Sequence, residues 1–199
     1  MVKSSSIFKG DKMKNDKTKI KKEQLKRIKK VILKTFKDIK REAKKNRKCL
    51  RKATGCAIIK IDDVPAITNN TKYNHELHLL TSPNIIITTN GPSHLKNKCT
   101  GIKGNCMCSH AEPRAIMKFL KQFYPWTGYK TILLTTFSPC TNCSNIIIDS
   151  GIINIVAYQY LAPHWKDADI RLRKILPVWL GSEIKNGKRD KDIKKLLNN

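Results

Sequence analysis

The residues best suited to chemistry lie between Cys108 and Gly151. His110 and Glu112 stand two positions apart in a Cys-Ser-His-Ala-Glu sequence, and Cys140 and Cys143 follow in a Ser-Pro-Cys-Thr-Asn-Cys sequence. An imidazole and two thiolates suit Zn2+, and a catalytic zinc site offers three protein ligands while leaving the fourth tetrahedral position for water. The spacing therefore predicts a zinc site formed by His110, Cys140 and Cys143.

Glu112 has a different expected role, that of a proton carrier. A His-x-Glu followed by Pro-Cys-x-x-Cys is the signature of zinc-dependent nucleobase deaminases, in which the glutamate is not a ligand but moves protons. Zinc lowers the pKa of its water towards about 7, which makes a nucleophile available at neutral pH. A lone Cys-x-x-Cys would instead indicate a structural zinc clip or a redox pair, but neither alternative gives Glu112 a role.

Two helix starts must bring these groups together. Ser109 is a natural N-cap, so we expect a helix over residues 110–123, with Pro113 tolerated in its first turn. The Cys-x-x-Cys should open a second helix over residues 141–150, which Gly151 ends. A helix N-terminus stabilises thiolate charge, as this site requires.

The rest of the chain predicts alternating strands and helices. Apolar residues recur at three-and-four spacing from Ile20 to Ala43, which predicts a helix that docks on the core and exposes lysines. Apolar and β-branched runs predict strands over 55–61, 84–89, 131–137 and 152–160, and a third core helix is expected over 167–176. This order predicts the α/β class, as a three-layer α/β/α sandwich with helices on both faces of a mixed sheet.

The net charge of +26 is concentrated near the N-terminus. Residues 1–52 contain 22 Lys and Arg against 5 Asp and Glu, and the remaining residues contain 19 against 10. We expect a disordered basic tail over 1–19, a core domain over 20–181 with a basic first helix over about 20–47, and a basic C-terminal tail over 182–199. This last segment either frays or forms a short helix that contains Ile193, Leu196 and Leu197. The basic region 1–52 has three interpretations, which are a solvated surface, a nucleic-acid contact and a nuclear address.

Composition also bears on the compartment. No apolar stretch reaches the length of a membrane span, and the lysine-rich start lacks a signal-peptide core. Seven cysteines, an odd number grouped at metal-type spacings, fit a reducing compartment better than a disulfide framework. We expect a soluble intracellular protein with no membrane partner, cytoplasmic or, in a eukaryotic host, nuclear.

From about Lys48 to Leu176 the chain resembles the deoxycytidylate (dCMP) deaminase family of the zinc-dependent cytidine deaminase superfamily. The similar segments are Lys48-Cys49-Leu50-Arg51-Lys52, Gly55-Cys56-Ala57-Ile58-Ile59, Asn90-Gly91-Pro92, His110-Ala111-Glu112, the run from Phe137 to Cys143 and Ile148-Asp149-Ser150-Gly151-Ile152. The resemblance implies a cytidine deaminase-like fold, hydrolysis of dCMP to dUMP and ammonia, and a homo-oligomer.

Site residues follow from the same resemblance. It implies zinc on the three predicted ligands, with Glu112 protonating N3 of cytosine and then the leaving amine as hydroxide adds to C4. Asn90 would bind the sugar or base, and the backbone at Ala111 and Ser138 would hold the pyrimidine edge. Tyr158 or Tyr160 would flank the substrate.

The chain departs from the family pattern at two places. The family usually continues His-Ala-Glu with Met or Leu, Asn and Ala, whereas this chain has Pro113-Arg114-Ala115. Arg114 is either a phosphate contact or a surface charge. Thr89 replaces the aromatic residue that precedes the family's Asn, which affects one wall of the base pocket.

A second, structural metal is an alternative use of the remaining soft ligands. The candidates are Cys49, His94, Cys99, Cys106 and Cys108. Zinc bound by some of these residues would resemble family members that pair a cysteine near the first helix with loop residues. Buried or idle thiols are the other interpretation.

Three functions compete on the sequence alone. The first is a deaminase of the free nucleotide dCMP. The second is a polynucleotide cytosine deaminase that grips single-stranded DNA or RNA through residues 1–52. The third is a non-catalytic nucleic-acid-binding protein that keeps zinc only for its fold.

Overall fold

A computed structural model describes residues 7–46, 49, 53–61, 85–92, 99–102, 108–123, 130–162 and 166–198. The helices are α1 (Ile7–Lys45), α2 (Ala111–Gln122), α3 (Thr141–Asp149), α4 (Lys166–Ile175), α5 (Gly181–Lys185) and α6 (Asp190–Asn198). The strands are β1 (Gly55–Ile61), β2 (Ile85–Thr89), β3 (Gly91–Pro92), β4 (Cys108–Ser109), β5 (Lys130–Phe137), β6 (Ile155–Tyr160) and β7 (Val178–Leu180). None of the described helices is long and apolar enough to cross a bilayer.

The central sheet has the strand order β2-β1-β5-β6-β7. Strand β1 pairs antiparallel with β2 and β5, whereas β5, β6 and β7 run parallel to one another. Parallel strands are connected by crossover helices that cover the sheet, so their residues are buried on both faces. The burial of six of the eight β5 residues fits this rule.

Helices cover both faces of this sheet. On one face, α1, α5 and α6 pack over inward side chains such as Ala57, Ile59 and Leu134. On the other face, α2, α3 and α4 pack over side chains such as Ile58 and Leu133. The predicted three-layer α/β/α sandwich with a mixed sheet is confirmed.

Gly55 allows α1 to lie close against β1. A Cβ atom at this position would overlap Ile39 Cγ2 and would lie 2.8 Å from the backbone oxygen of Ile39. The strand begins here, and Thr136 Oγ1 donates a hydrogen bond of 3.1 Å to the Gly55 carbonyl. The sequence requires glycine at this point because the helix backbone occupies the space of a side chain.

Both ends of the chain differ from the sequence expectation. The disordered tail expected over residues 1–19 is wrong for residues 7–19, which continue α1. Lysine is a good helix former, and adding residues to a formed helix costs less than starting one. At the other end, residues 182–199 do not form a frayed tail, because Ile184 and Ile193 are fully buried against α1 and the sheet. The short helix predicted from Ile193, Leu196 and Leu197 is present as α6.

Smaller elements were missed or lie outside the described residues. Strand β7 is only three residues long, and the sequence analysis ended its last element before it. The paired strands β3 and β4 were not among the predicted strands. Residues 124–129 and most of the segment between β1 and β2 lie outside the described residues.

Candidate active site

The starts of α2 and α3 place the predicted zinc ligands side by side. His110 is the N-cap residue of α2, Cys140 is the N-cap residue of α3, and Cys143 lies in the first turn of α3. Ser109, the expected cap of α2, instead lies one residue earlier, in β4. Strand β5 ends at Phe137, so the sheet carries the chain directly to the second helix start.

The distances within this group fit one tetrahedral zinc ion. His110 Nδ1 lies 3.2 Å from Cys143 Sγ and 3.5 Å from Cys140 Sγ. Bond lengths of about 2.3 Å to sulfur and 2.05 Å to nitrogen place a sulfur and a nitrogen about 3.5 Å apart in a tetrahedron. All three donor atoms lie within 4.8 Å of one another. One imidazole and two thiols at these separations are suited to Zn2+.

The pKa values of the two thiols, Cys140 and Cys143, shift in opposite directions. The hydrogen bond between the two thiols lowers the pKa of Cys140 to about 4 and raises the pKa of Cys143. The hydrogen bond to Cys140 also raises the pKa of His110. The protein groups of the site therefore favour the thiolate form of Cys140 without help from a metal. The thiolate is the form that binds zinc.

Glu112 is buried beside the ligand group without being one of its three members. Its side chain is 4% exposed, and its Oε2 lies 3.7 Å from Cys143 Sγ. Burial raises the pKa of the Glu112 carboxyl because the ionised form loses its contact with water. A carboxyl whose pKa is raised towards neutrality is suited to exchange protons with a reacting group.

Asn90 joins the ends of β1 and β2. Its Oδ1 accepts a hydrogen bond of 2.9 Å from the N–H of Thr54, and its own N–H donates to the Thr54 carbonyl over 3.0 Å. These two bonds fix the side chain just before β3. The position of Asn90 is thus well determined, while its predicted contact with substrate stays a prediction.

The backbone positions predicted to hold a pyrimidine are both anchored. Thr88 Oγ1 donates to the Ala111 carbonyl over 2.7 Å, which ties β2 to the first turn of α2. Ser138 Oγ accepts from the N–H of Ala162 over 3.0 Å, and the Ser138 N–H donates to the Tyr160 carbonyl over 2.9 Å. The sequence analysis missed Thr88, whose only signal was a hydroxyl residue near the end of a predicted strand.

Arg114 contacts the turn that follows Asn90. Its Nη1 lies 3.4 Å from the Gly91 carbonyl and 3.3 Å from the Pro92 carbonyl, so the guanidinium links α2 to β3. Arg114 also lines a cleft of about 610 Å3 between α1, β2 and α2, together with Arg41 and Lys118. The sequence analysis interpreted Arg114 as a phosphate contact or a surface charge, and neither interpretation included this contact with the backbone.

The two tyrosines at the end of β6 differ in exposure. Tyr158 is 1% exposed, and its hydroxyl donates to Asp169 Oδ1 in α4 over 2.6 Å. A ring this buried has no face open to a nucleotide, so the predicted substrate contact of Tyr158 is not supported. Tyr160 is 46% exposed and lies against Phe137 with a ring-centre distance of 5.6 Å. Tyr160 therefore remains the candidate for that role.

A second group of soft ligands forms from three separate segments. The sulfur atoms of three cysteines lie within 4.8 Å of one another. Cys49 follows α1, Cys99 lies between β3 and β4, and Cys108 begins β4. The Cys99 and Cys49 sulfurs are 3.8 Å apart, and both residues are buried. The other two predicted ligands, His94 and Cys106, lie outside the described residues.

Comparisons with known proteins agree with this arrangement. Residues 29–159 match the family model of the cytidine and deoxycytidylate deaminase zinc-binding region. A search of curated protein sequences finds no match.

The chain is similar to several solved structures. A dCMP deaminase from the cyanophage S-TIM5, in complex with dCMP and dUMP, is 22% identical with a TM-score of 0.51, and the match covers 72% of this chain and 91% of that one. A Rib2 deaminase from Aspergillus oryzae in complex with DARIPP is 12% identical with a TM-score of 0.48, covering 84% and 98%. A guanine deaminase from Nitrosomonas europaea is 11% identical with a TM-score of 0.46, covering 85% and 82%.

Proposed function

Because the chain belongs to the cytidine and deoxycytidylate deaminase family and is a zinc-dependent nucleotide deaminase, we propose that it converts dCMP and water to dUMP and ammonia. The observation that carries the proposal is the group of His110, Cys140 and Cys143 with the buried carboxyl of Glu112 beside it. The choice of dCMP is supported by the resemblance at Asn90-Gly91-Pro92 and at Phe137 to Cys143.

Each residue of the site has a proposed task. His110, Cys140 and Cys143 hold zinc, which when bound supplies a water whose pKa is lowered towards about 7. Glu112 would take one proton from the attacking water and deliver it to N3 of cytosine. It would then take the second proton from the hydroxyl added to C4 and deliver it to the leaving amine as the C4 carbonyl forms. Its burial excludes bulk water, so the carboxyl exchanges protons with the substrate.

Substrate contacts are proposed at anchored positions. Asn90 binds the sugar or base, because its side chain is fixed by Thr54 and lies at the end of β2. The backbone at Ala111 and Ser138 holds the pyrimidine edge. These groups stand on strand ends and helix starts, which keeps them rigid relative to the zinc ligands.

A substrate panel tests the proposal. Purified zinc-loaded protein is incubated with dCMP, CMP, deoxycytidine, dCTP, guanine and a single-stranded oligonucleotide that contains cytosine, and ammonia release is measured for each. The proposal predicts the highest kcat/KM for dCMP. A preference for guanine, or for cytosine within a single-stranded oligonucleotide, would replace dCMP as the substrate.

Cys49, Cys99 and Cys108 support a second proposed zinc ion with a structural role. Two sulfurs bound to one tetrahedral zinc lie about 3.8 Å apart, which equals the distance between Cys49 and Cys99. Zinc here would tie the end of α1 to β4, and β4 ends one residue before His110. The fourth ligand would come from His94 or Cys106.

Metal counting separates this second site from the first. The proposal predicts two zinc ions per chain in the wild type, and one in a Cys49→Ser variant that unfolds at a lower temperature. A Cys140→Ser variant should instead lose the catalytic zinc and keep the structural one. One zinc per chain in the wild type, with Cys49 and Cys99 freely reactive towards a thiol reagent, would refute the structural site.

A further inference from the structure

The outward face of α1 is rich in cations. We define this cationic stripe as the exposed basic residues between positions 22 and 45, which are Lys22, Lys26, Lys30, Lys34, Lys37, Lys40, Arg41, Lys44 and Lys45. At 100° per residue these nine positions fall within an arc of about 140° on the helix surface. The stripe is therefore one continuous face and not a scatter of charges.

Acidic residues do little to neutralise the stripe. Glu23, the exposed acidic residue in this part of α1, lies within the same arc and pairs with Arg27 over 3.6 Å. Asp38 pairs with Arg41 over 2.9 Å. Among the described residues, no acidic group lies within ion-pair distance of Lys26, Lys30 or Lys34.

The spacing of the charges matches a phosphate chain. Twenty-three residue steps at about 1.5 Å give a length of about 35 Å, so nine cations correspond to about one per 4 Å. Phosphates on one strand of DNA are about 3.4 Å apart along the helix axis. A straight helix with this charge density offers a row of partners to consecutive phosphates.

The buried face of α1 argues against a membrane or a protein partner. An interfacial membrane helix inserts its apolar face into the lipid, whereas Ile28, Ile32 and Ile39 of α1 are buried in the protein core. A stable protein interface has an apolar centre. No large apolar residue among the described side chains of α1 is exposed.

The stripe and the candidate active site lie on opposite sides of the sheet. Helix α1 packs on one face, and α2 and α3, which begin at the zinc ligands, pack on the other. Most of the stripe points away from the sheet, but its C-terminal end does not, because Arg41 lines the cleft with Thr88 and Arg114, and Lys40 Nζ lies 6.0 Å from the ring centre of Tyr160. A phosphate chain held by Lys26, Lys30 and Lys34 is bound on the helix that covers the sheet face opposite to α2 and α3.

We propose that the cationic stripe binds the phosphate backbone of a nucleic acid and anchors the enzyme to it without presenting bases for deamination. The anchor is a second function of the chain, separate from the proposed hydrolysis of dCMP. Binding is independent of base sequence, because lysines on an exposed helix face contact phosphates and not base edges. Its affinity depends steeply on salt, because each contacted phosphate releases counterions.

Salt-dependent binding to a fluorescent single-stranded oligonucleotide tests the anchor. With six contacts the slope of log affinity against log salt is about −4, so affinity falls about 300-fold between about 50 and 200 mM salt. Replacing Lys26, Lys30, Lys34 and Lys37 by Gln should reduce the slope by about 3 and leave dCMP turnover unchanged.

A matched control removes the same number of positive charges from the helices on the other face of the sheet. Replacing the exposed residues Lys121, Lys166, Arg171 and Lys174 by Gln also removes four positive charges, but from α2 and α4. The proposal predicts a slope close to that of the wild type for this control. Equal losses in both variants would mean that net charge alone causes binding, and no binding by the wild type at low salt would overturn the proposal.

Two further measurements decide between the alternatives. Vesicles of phosphatidylserine are offered in place of the oligonucleotide, and tighter stripe-dependent binding to vesicles than to DNA would overturn the assignment to nucleic acid. The bound oligonucleotide is also sequenced. Intact cytosines agree with an anchor, whereas stripe-dependent conversion of cytosine to uracil would show that the nucleic acid is a substrate and overturn the anchor.

Discussion

Replacing Glu112 by Gln separates proton transfer from metal binding. The amide has nearly the shape of the carboxyl and can occupy the same buried space 3.7 Å from Cys143 Sγ, but it cannot accept and deliver protons. The three proposed zinc ligands are unchanged. We therefore expect a protein that is folded and contains zinc but is inactive.

The expected loss follows from the number of proton transfers. One positioned acid or base contributes about 10²-fold to 10⁴-fold to a rate, and Glu112 is proposed to serve both in taking up the proton and in delivering it. A loss near the upper value, about 10⁴-fold in kcat, corresponds to about 5.4 kcal/mol in the activation barrier. Removing a carboxyl that is costly to ionise when buried should not lower the melting temperature.

The assay measures ammonia release from dCMP and zinc content on the same preparation. Asp149→Asn is the matched control, because it makes the same carboxyl-to-amide change at an exposed position at the end of α3. That control should keep wild-type turnover. A Glu112→Gln variant that retains more than a tenth of the activity, or that has lost its zinc, would refute the assigned role.

Three further predictions concern the fold around the site. Tyr158→Phe removes the hydrogen bond to the buried Asp169 Oδ1 and leaves Asp169 with its ion pair to Arg173, so it should lower the free energy of unfolding by about 1 to 2 kcal/mol in urea denaturation. Tyr160→Phe, at an exposed ring, should change the same free energy by less than about 0.5 kcal/mol. Burial, followed by that hydrogen bond, raises the pKa of Tyr158 to about 12, so the folded protein favours the neutral phenol and loses stability as pH rises from 10 to about 12. Absorbance at 295 nm should show one late-titrating tyrosine that the Phe variant lacks, and its presence in both proteins would contradict the assignment. Gly55→Ala should destabilise by about 2 kcal/mol because its methyl group meets the backbone of Ile39, and an unchanged urea midpoint would show that α1 can move away.

The predictable part of the fold is the part with strong periodicity. Strand β1 was predicted with the observed bounds of Gly55 and Ile61, and α3 within one residue, because an apolar run and a glycine with φ of 65° at Gly151 mark their ends. The helix over residues 7–19 and the burial of the C-terminal segment were not predicted, for the opposite reason. Their lysine content resembles a solvated tail, and only the three-dimensional fold shows that Ile184 and Ile193 are core residues.

The candidate site divides in the same way. The grouping of His110, Cys140 and Cys143 follows from the short spacing within each motif and from two predictable helix starts, so the sequence could indicate it. The contact between Cys49 and Cys99 joins segments fifty residues apart, and no local pattern specifies it. Burial of Tyr158 depends on where α4 packs, which the sequence analysis could not place.

The most direct test of the central claim is a time course of dCMP hydrolysis by the zinc-loaded wild type, before and after removal of the metal. The account predicts equal amounts of dUMP and ammonia, loss of both on chelation, and recovery when zinc is returned. Turnover that persists in metal-free protein, or zinc-loaded protein that releases no ammonia from dCMP, would contradict it.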